Sequence, residues 1–100
     1  MIKVKVNYNN NFIKSFSIKG HSQYDEYGKD IVCASVSSIV ITSCNLVLKL
    51  KDNSIVIKQD KGFICADVLI EDEIINKVLK NMIEMLEELS KQYKNNIKFI

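Results

Sequence analysis

The stretch IVCASVSSIVITSCNLVLKL, residues 31–50, decides the fold of this 100-residue chain. Its many β-branched residues would suit a strand, but polar residues recur at Ser35, Ser38, Thr42, Asn45 and Lys49. Spacings of three and four place these residues in one stripe along a helix, whereas alternation by two fails over the same window. The stretch is therefore predicted to be a helix. Because most of its circumference is apolar, we expect a central helix that packs on a sheet and, on its other side, against another subunit.

A second helix is predicted from Glu71 to the Asn95-Asn96 pair. Its first turn is acidic and Lys91 and Lys94 fall near its end, so each sign of charge matches the helix dipole. Apolar residues recur at spacings of four and three on one face, namely Ile75, Leu79, Met82, Leu86, Leu89 and Tyr93. This periodicity predicts an amphipathic helix with one buried face.

The remaining segments have the short apolar patterns and turn residues of strands. The predicted strands are Ile2–Tyr8, Phe12–Lys19, Ile55–Gln59, Phe63–Ile70 and Ile97–Ile100. Asn9–Asn11 and Asp60–Gly62 supply turns, because Asn and Gly accept positive φ. The order strand, strand, helix, strand, strand, helix, strand predicts one α+β domain over residues 1–100, a mostly antiparallel sheet with both helices on one face.

Composition limits the classes of function. The net charge is +2, and all fourteen basic residues are lysines. They are interspersed with twelve acidic residues along the chain. This composition does not indicate a nucleic-acid partner. Three cysteines form an odd number without close pairs, as expected for reduced thiols. Met1 leads directly into a strand pattern rather than a signal peptide, and no apolar run of membrane-spanning length is free of polar residues. We expect a soluble, cytoplasmic protein without a membrane partner.

The segment before the central helix carries candidate chemistry. Asp30 is a good N-cap residue, which places Cys33 at the third helical position. The positive end of a helix dipole favours an anion there, so this position favours a thiolate over a thiol. His21 is the single histidine of the chain, and the turn that Gly28 permits could bring it back to the helix start. Cys33 is therefore a candidate nucleophile and His21 its candidate base.

Structural interpretations of the same residues stay open on spacing alone. A cysteine near a helix start is more often a small buried residue, and a lone histidine is often structural. Ser37 lies one turn after Cys33, where its hydroxyl could face a pocket or bond back to a carbonyl. Asp30 could cap the helix or orient His21, and the cap is preferred. Cys44 would lie roughly 16 Å from Cys33 along the helix, which makes zinc binding unexpected.

The string G-H, a short polar and aromatic loop, and then G-x-D-I-V-C-A-x-V-S resembles the signature of the ribosomal-processing cysteine proteases. These are small bacterial enzymes that trim an N-terminal extension from a large-subunit ribosomal protein. By this resemblance His21 and Cys33 match the catalytic pair. Flanking motif positions are matched by Gly20, Gly28, Asp30 and Ser37. Ser22 and Ser35 stand where alanine is more usual, which affects loop detail rather than chemistry.

The resemblance implies a cysteine endopeptidase that needs no cofactor or metal and forms a homodimer. It also implies the substrate, a ribosomal protein's N-terminal extension cut after a hydrophobic and aromatic stretch. We expect Tyr24 and Tyr27 to contact this substrate, on a loop from Ser22 to Lys29 that acts as a gate. Backbone N–H groups at the helix start would stabilise the oxyanion.

Two other classes of protein fit the same residues. In a non-enzymatic, ribosome-associated binding module, the loop from Gly20 to Asp30 would recognise a partner and Cys33 would belong to the core. In a redox or acyl-carrying thiol protein, Cys33 would need a resolving cysteine, and none lies nearby in the sequence.

Overall fold

A computed structural model describes residues 1–20 and 31–100 of the chain. Its strands are β1 (Ile2–Asn9), β2 (Phe12–Lys19), β3 (Ile55–Asp60), β4 (Phe63–Val68) and β5 (Ile97–Phe99). Its helices are α1 (Ile31–Leu50), between β2 and β3, and α2 (Glu73–Gln92), between β4 and β5. The predicted order of elements is confirmed.

The five strands form one sheet in the order β3-β4-β2-β1-β5. Neighbouring strands are antiparallel except β1 and β5, which pair in parallel. This mixed, mostly antiparallel sheet with two helices confirms the predicted α+β class. The sequence does not predict the order of the strands. That order depends on which strands of the two hairpins pair with each other, here β2 with β4.

The core lies between one face of the sheet and both helices. Alternation along β1 buries Ile2 and Val4 and exposes Lys3 and Lys5. The buried residues of α1 follow spacings of four and three and are Val32, Val36, Val40, Cys44 and Val47. Those of α2 are Ile75, Leu79, Met82, Ile83 and Leu86. Both helical periodicities read from the sequence therefore identify the faces that pack inward.

The boundary between β4 and α2 differs from the prediction. The strand ends at Val68 rather than Ile70, and the helix begins at Glu73 rather than Glu71. Asp72 sets the start as the N-cap, because its side chain accepts hydrogen bonds from the backbone N–H groups of Ile74 and Ile75 at 2.9 and 3.0 Å. The bond from Ile75 and that from Lys51 lower the pKa of Asp72 below its usual value.

The β1–β2 hairpin has the predicted asparagine turn. Asn10 and Asn11 adopt φ of 51° and 70°, the left-handed conformation that asparagine tolerates. The irregular pattern of β2 has a physical cause, since the pairing register shifts between Asn7 and Tyr8 and leaves Lys14 without a partner position.

The helix α1 is long and apolar enough to cross a membrane, and 28% of the tested window is buried within the described part of the chain. The core helix of a soluble protein passes the same test. Four of its large apolar residues remain exposed, namely Ile31, Ile41, Leu46 and Leu50.

Candidate active site

A cleft opens at the N-terminal end of α1, where the helix meets the ends of β1 and β2 and the β3–β4 hairpin. Its volume is about 210 Å³. Its lining residues are Ile2, Ile18, Gly20, Cys33, Val36, Ser37, Gln59, Asp60, Gly62, Phe63 and Ile64. Apolar side chains share this wall with the polar groups of Cys33, Ser37, Gln59 and Asp60. A space of this size suits one or two side chains of an extended peptide rather than a large cofactor.

Cys33 is the one cysteine that borders this cleft among the described residues. It lies at the third position of α1 and is partly exposed. The 20-residue helix places the positive end of its dipole here. Ser37 follows one turn later and lines the same cleft.

The other two thiols occupy different environments. Cys44 is buried in the core, where desolvation raises its pKa to about 11. Cys65 is partly exposed on the face of the sheet that the helices do not cover. The alternation of β4 explains this, since Ile64 and Ala66 on either side of Cys65 take the buried face.

Gly20 connects the end of β2 to two neighbouring elements. Its backbone N–H donates to the carbonyl oxygen of Gly62 in the β3–β4 turn at 2.7 Å. Its φ is 97°, and a Cβ at this position would overlap the carbonyl oxygen of Met1. Only glycine fits here without displacement of the strand end, so the backbone that leads into residue 21 leaves the sheet from a fixed point.

Five of the predicted site residues lie outside the described residues, namely His21, Tyr24, Tyr27, Gly28 and Asp30. The proposed gate from Ser22 to Lys29 and the proposed cap of α1 lie there as well. Of the predicted residues that are described, Gly20, Cys33 and Ser37 come together at the cleft. No group of three His, Cys, Asp or Glu side chains in the described part of the chain is placed to hold a metal ion.

The contribution of the β3–β4 hairpin was missed by sequence reasoning. Gln59, Asp60, Gly62 and Phe63 all border the cleft. The sequence does predict a turn at Asp60–Gly62, but only the pairing of β4 with β2 brings this turn next to Gly20. A residue pattern can mark a hairpin, whereas its neighbours in the sheet depend on the tertiary fold.

Comparison with known proteins gives a consistent result. The family model of cysteine protease Prp matches residues 1–98. The ribosomal processing cysteine protease Prp of Bacillus subtilis (strain 168) is 30% identical over 93 residues, which cover 86% of this chain and 83% of that protein.

Two solved structures of an essential ribosomal processing protease Prp from S. aureus share the fold. One is a complex with a covalently linked product peptide and matches with a TM-score of 0.92 and 26% identity over 99% of this chain and 97% of that one. The other is a complex with a substrate peptide and matches with a TM-score of 0.88 and 25% identity over 100% of this chain and 98% of that one. The thiol at the start of α1, the cleft beside it and these matches agree, and the chain belongs to the Prp family of cysteine proteases.

Proposed function

We propose that this protease removes the N-terminal extension of a large-subunit ribosomal protein, with Cys33 as its nucleophile and His21 as its general base. The observation that carries the proposal is the partly exposed Cys33 at the start of α1, on the wall of a cleft lined by both apolar and polar residues. The names of the relatives supply the substrate class, since they are ribosomal processing proteases and one is bound to a substrate peptide.

The proposed reaction proceeds in two steps. The sulfur of Cys33 attacks the scissile carbonyl carbon while His21 accepts the thiol proton. The C–N bond then breaks, His21 donates its proton to the leaving amine, and the N-terminal fragment stays on Cys33 as a thioester. Water, deprotonated by His21, attacks this thioester and releases the fragment as a carboxylate with the free thiol. Negative charge on the carbonyl oxygen is stabilised by the positive end of the α1 dipole.

The roles of the neighbouring residues belong to the same proposal. Gly20 directly precedes His21 and lies at the cleft, which supports a place for His21 near Cys33. Asp30 and Gly28 match flanking positions of the family motif, and we assign Asp30 to the cap of α1 and Gly28 to the turn before it. Ser37 borders the sulfur side of the cleft. Tyr24 and Tyr27 are assigned to contact with the substrate residues before the scissile bond, because they are the two aromatic residues of an otherwise polar loop.

The test uses the extended ribosomal protein of the same organism. The purified enzyme and its Cys33→Ala variant are incubated with this substrate, and the masses of the products are measured by mass spectrometry. A Cys65→Ala variant is the matched control, because it removes a partly exposed thiol away from the cleft. We expect a shortened product from the wild type and from Cys65→Ala, and none from Cys33→Ala. Cleavage by Cys33→Ala contradicts the assignment of Cys33 as the nucleophile. No cleavage by the wild type contradicts the protease function and favours the binding module.

We also propose that the enzyme is a cytoplasmic homodimer that buries the outer face of α1. This face combines the exposed Ile41, Leu46 and Leu50 with the small polar residues Ser38 and Thr42. By the helical spacing of α1, Ile41 lies on one flank of the small polar residues and Leu46 with Leu50 on the other. Exposed large apolar residues on a helix indicate a protein contact, and a second copy of the chain offers the same surface about a twofold axis. The small residues allow two helices to approach closely.

Light scattering tests the dimer over micromolar concentrations. We expect twice the mass of the 11.5 kDa chain, and the mass of one chain after Ile41→Lys and Leu46→Lys are combined. A monomer mass for the wild type would rule out the dimer, without consequence for the assignment of Cys33.

A further inference from the structure

We propose that the face of the sheet opposite the helices binds the phosphate backbone of RNA. Five exposed lysines of this face are called here the lysine face, namely Lys3, Lys5, Lys19, Lys58 and Lys98. They come from four different strands and are spread over 96 positions of the sequence, so only the fold brings them together. The inference that this RNA is ribosomal RNA rests on the proposed function, whereas binding to an RNA backbone does not.

The pairing register places the lysines side by side. Lys98 of β5 lies opposite Lys3 of β1, and Lys3 lies opposite Lys19 of β2. Directly opposite side chains on one face are separated at Cβ by about 5 Å, so three ammonium groups stand in one row across three strands. Within residues 1–20 and 31–100, none of the five lysines forms an ion pair with a described residue. Like charges in this arrangement destabilise a sheet unless an anion compensates them.

The charge of this face differs from that of the rest of the molecule. Five lysines against two carboxylates, Asp60 and Asp67, give it a net charge of +3, which exceeds the +2 of the whole chain. The helix α2 shows how this chain arranges charge elsewhere. Residues of opposite charge stand four positions apart on this helix, as in a surface that serves solubility. The pairs are Glu73 with Lys77, Lys80 with Glu84, and Glu87 with Lys91. The lysine face lacks this compensation.

The residues between the lysines favour RNA over a membrane. Ser17 lies opposite Lys5, and Ser15 lies opposite Asn7 further along the same strands, and these side chains can donate hydrogen bonds to phosphate oxygens. The large apolar side chains Phe63 and Val56 lie on the β3–β4 side of the face, away from Lys3, Lys5 and Lys98. A surface that inserts into a bilayer needs large apolar side chains among its cations. The chain contains no arginine, so contacts to base edges are disfavoured and the binding is expected to be independent of sequence.

The lysine face also adjoins the active site. Lys19 directly precedes Gly20, and its ammonium lies 5.4 Å from the ring centre of Phe63, which borders the cleft. RNA on this face would hold the enzyme beside proteins bound to the same RNA. The expectation of no nucleic-acid partner rested on the small net charge, the absence of arginine and the even spread of lysine along the sequence, and the fold removes the last of these.

The test is fluorescence anisotropy with a labelled 20-base-pair RNA duplex between 50 and 200 mM KCl. We expect a dissociation constant of about 1–100 µM that rises steeply with salt. The triple variant Lys3→Gln, Lys5→Gln, Lys98→Gln removes three of the five contacts, so the slope of log K against log salt should fall by about 2 to 3. The matched control is Lys77→Gln, Lys80→Gln, Lys91→Gln on α2, which changes the net charge by the same amount and should leave the slope nearly unchanged.

Three results would overturn the proposal. The first is no binding to the duplex, and the second is an equal fall of the salt slope in both triple variants. The third is binding of the protein to vesicles of phosphatidylcholine and phosphatidylserine but not to RNA. Cleavage of a free peptide substrate by the Lys3, Lys5 and Lys98 variant, measured in parallel, shows that the variant is folded. It also separates this proposal from the proposed function, since RNA binding can be lost while peptide cleavage continues.

Discussion

At the scale of single residues, Gly20 is the position where the backbone allows least change. A side chain here requires a φ of 97° that L residues rarely adopt, and its Cβ would overlap the carbonyl oxygen of Met1. Gly20→Ala should therefore destabilise the fold by about 1–2 kcal/mol or more. It should also move the end of β2 and reduce kcat/KM on the order of 100-fold, because the next residue is the proposed base.

The matched control for Gly20→Ala is Gly62→Ala. Gly62 also has a positive φ, of 64°, which is close to the left-handed conformation that L residues can adopt. We expect a stability loss of about 1 kcal/mol and a smaller effect on peptide cleavage. Equal effects of the two substitutions on kcat/KM would show that the overlap with Met1 has no role in the site.

The three thiols should differ in reactivity because they differ in burial. Cys44 is buried and its pKa is about 11, so iodoacetamide at pH 8 should leave it unmodified in the folded protein. Cys33 and Cys65 are partly exposed and should be modified. Peptide mapping by mass spectrometry measures each site, and unfolding in urea should make all three reactive. Modification of Cys44 at the rate of Cys65 in the folded protein would contradict the buried position.

At the scale of elements, the N-cap of α2 predicts a dependence of stability on pH. The pKa of Asp72 is lowered from 3.8 in the folded chain, so its carboxylate adds stability above that value and loses this contribution as the pH falls through the folded pKa. Asp72→Asn keeps a capping oxygen but cannot titrate. The advantage of the wild type over Asp72→Asn in free energy of unfolding should therefore be present at pH 6 and smaller at pH 2.5.

Urea unfolding at the two pH values measures this difference. Glu84→Gln is the control, because it removes a carboxylate from an exposed position of the same helix. A gap between wild type and Asp72→Asn that stays constant or widens in acid would show that the cap does not lower the pKa of Asp72.

The elements themselves were largely predictable from the sequence. Polar residues at Ser35, Ser38 and Thr42 recur with helical spacing, and this local signal outweighed the strand propensity of the β-branched residues around them. The start of α2 was placed two residues early, because Glu71, Asp72 and Glu73 are all suited to a first turn. Only hydrogen-bond geometry identifies Asp72 as the cap among them.

At the scale of the whole molecule, sequence reasoning was limited by long-range pairing. The motif around Cys33 is local, and the helix start that it predicts is present. The cleft also needs the β3–β4 turn beside Gly20, and the lysine face needs β5 beside β1. Both depend on the strand order, which follows from the collective packing of the sheet against α1 and α2 and has no local pattern.

The most direct test of the central claim is to trap the covalent intermediate on Cys33. The enzyme is mixed with a peptide that spans the cleavage site, quenched in acid within the first turnover, and its intact mass and tryptic map are recorded. The account predicts a mass increase equal to the N-terminal fragment of the peptide less one water, located on Cys33 as a thioester. The same adduct should form in Cys65→Ala and be absent in Cys33→Ala. Peptide cleavage with no adduct on Cys33, or with the adduct on another residue, would contradict the account.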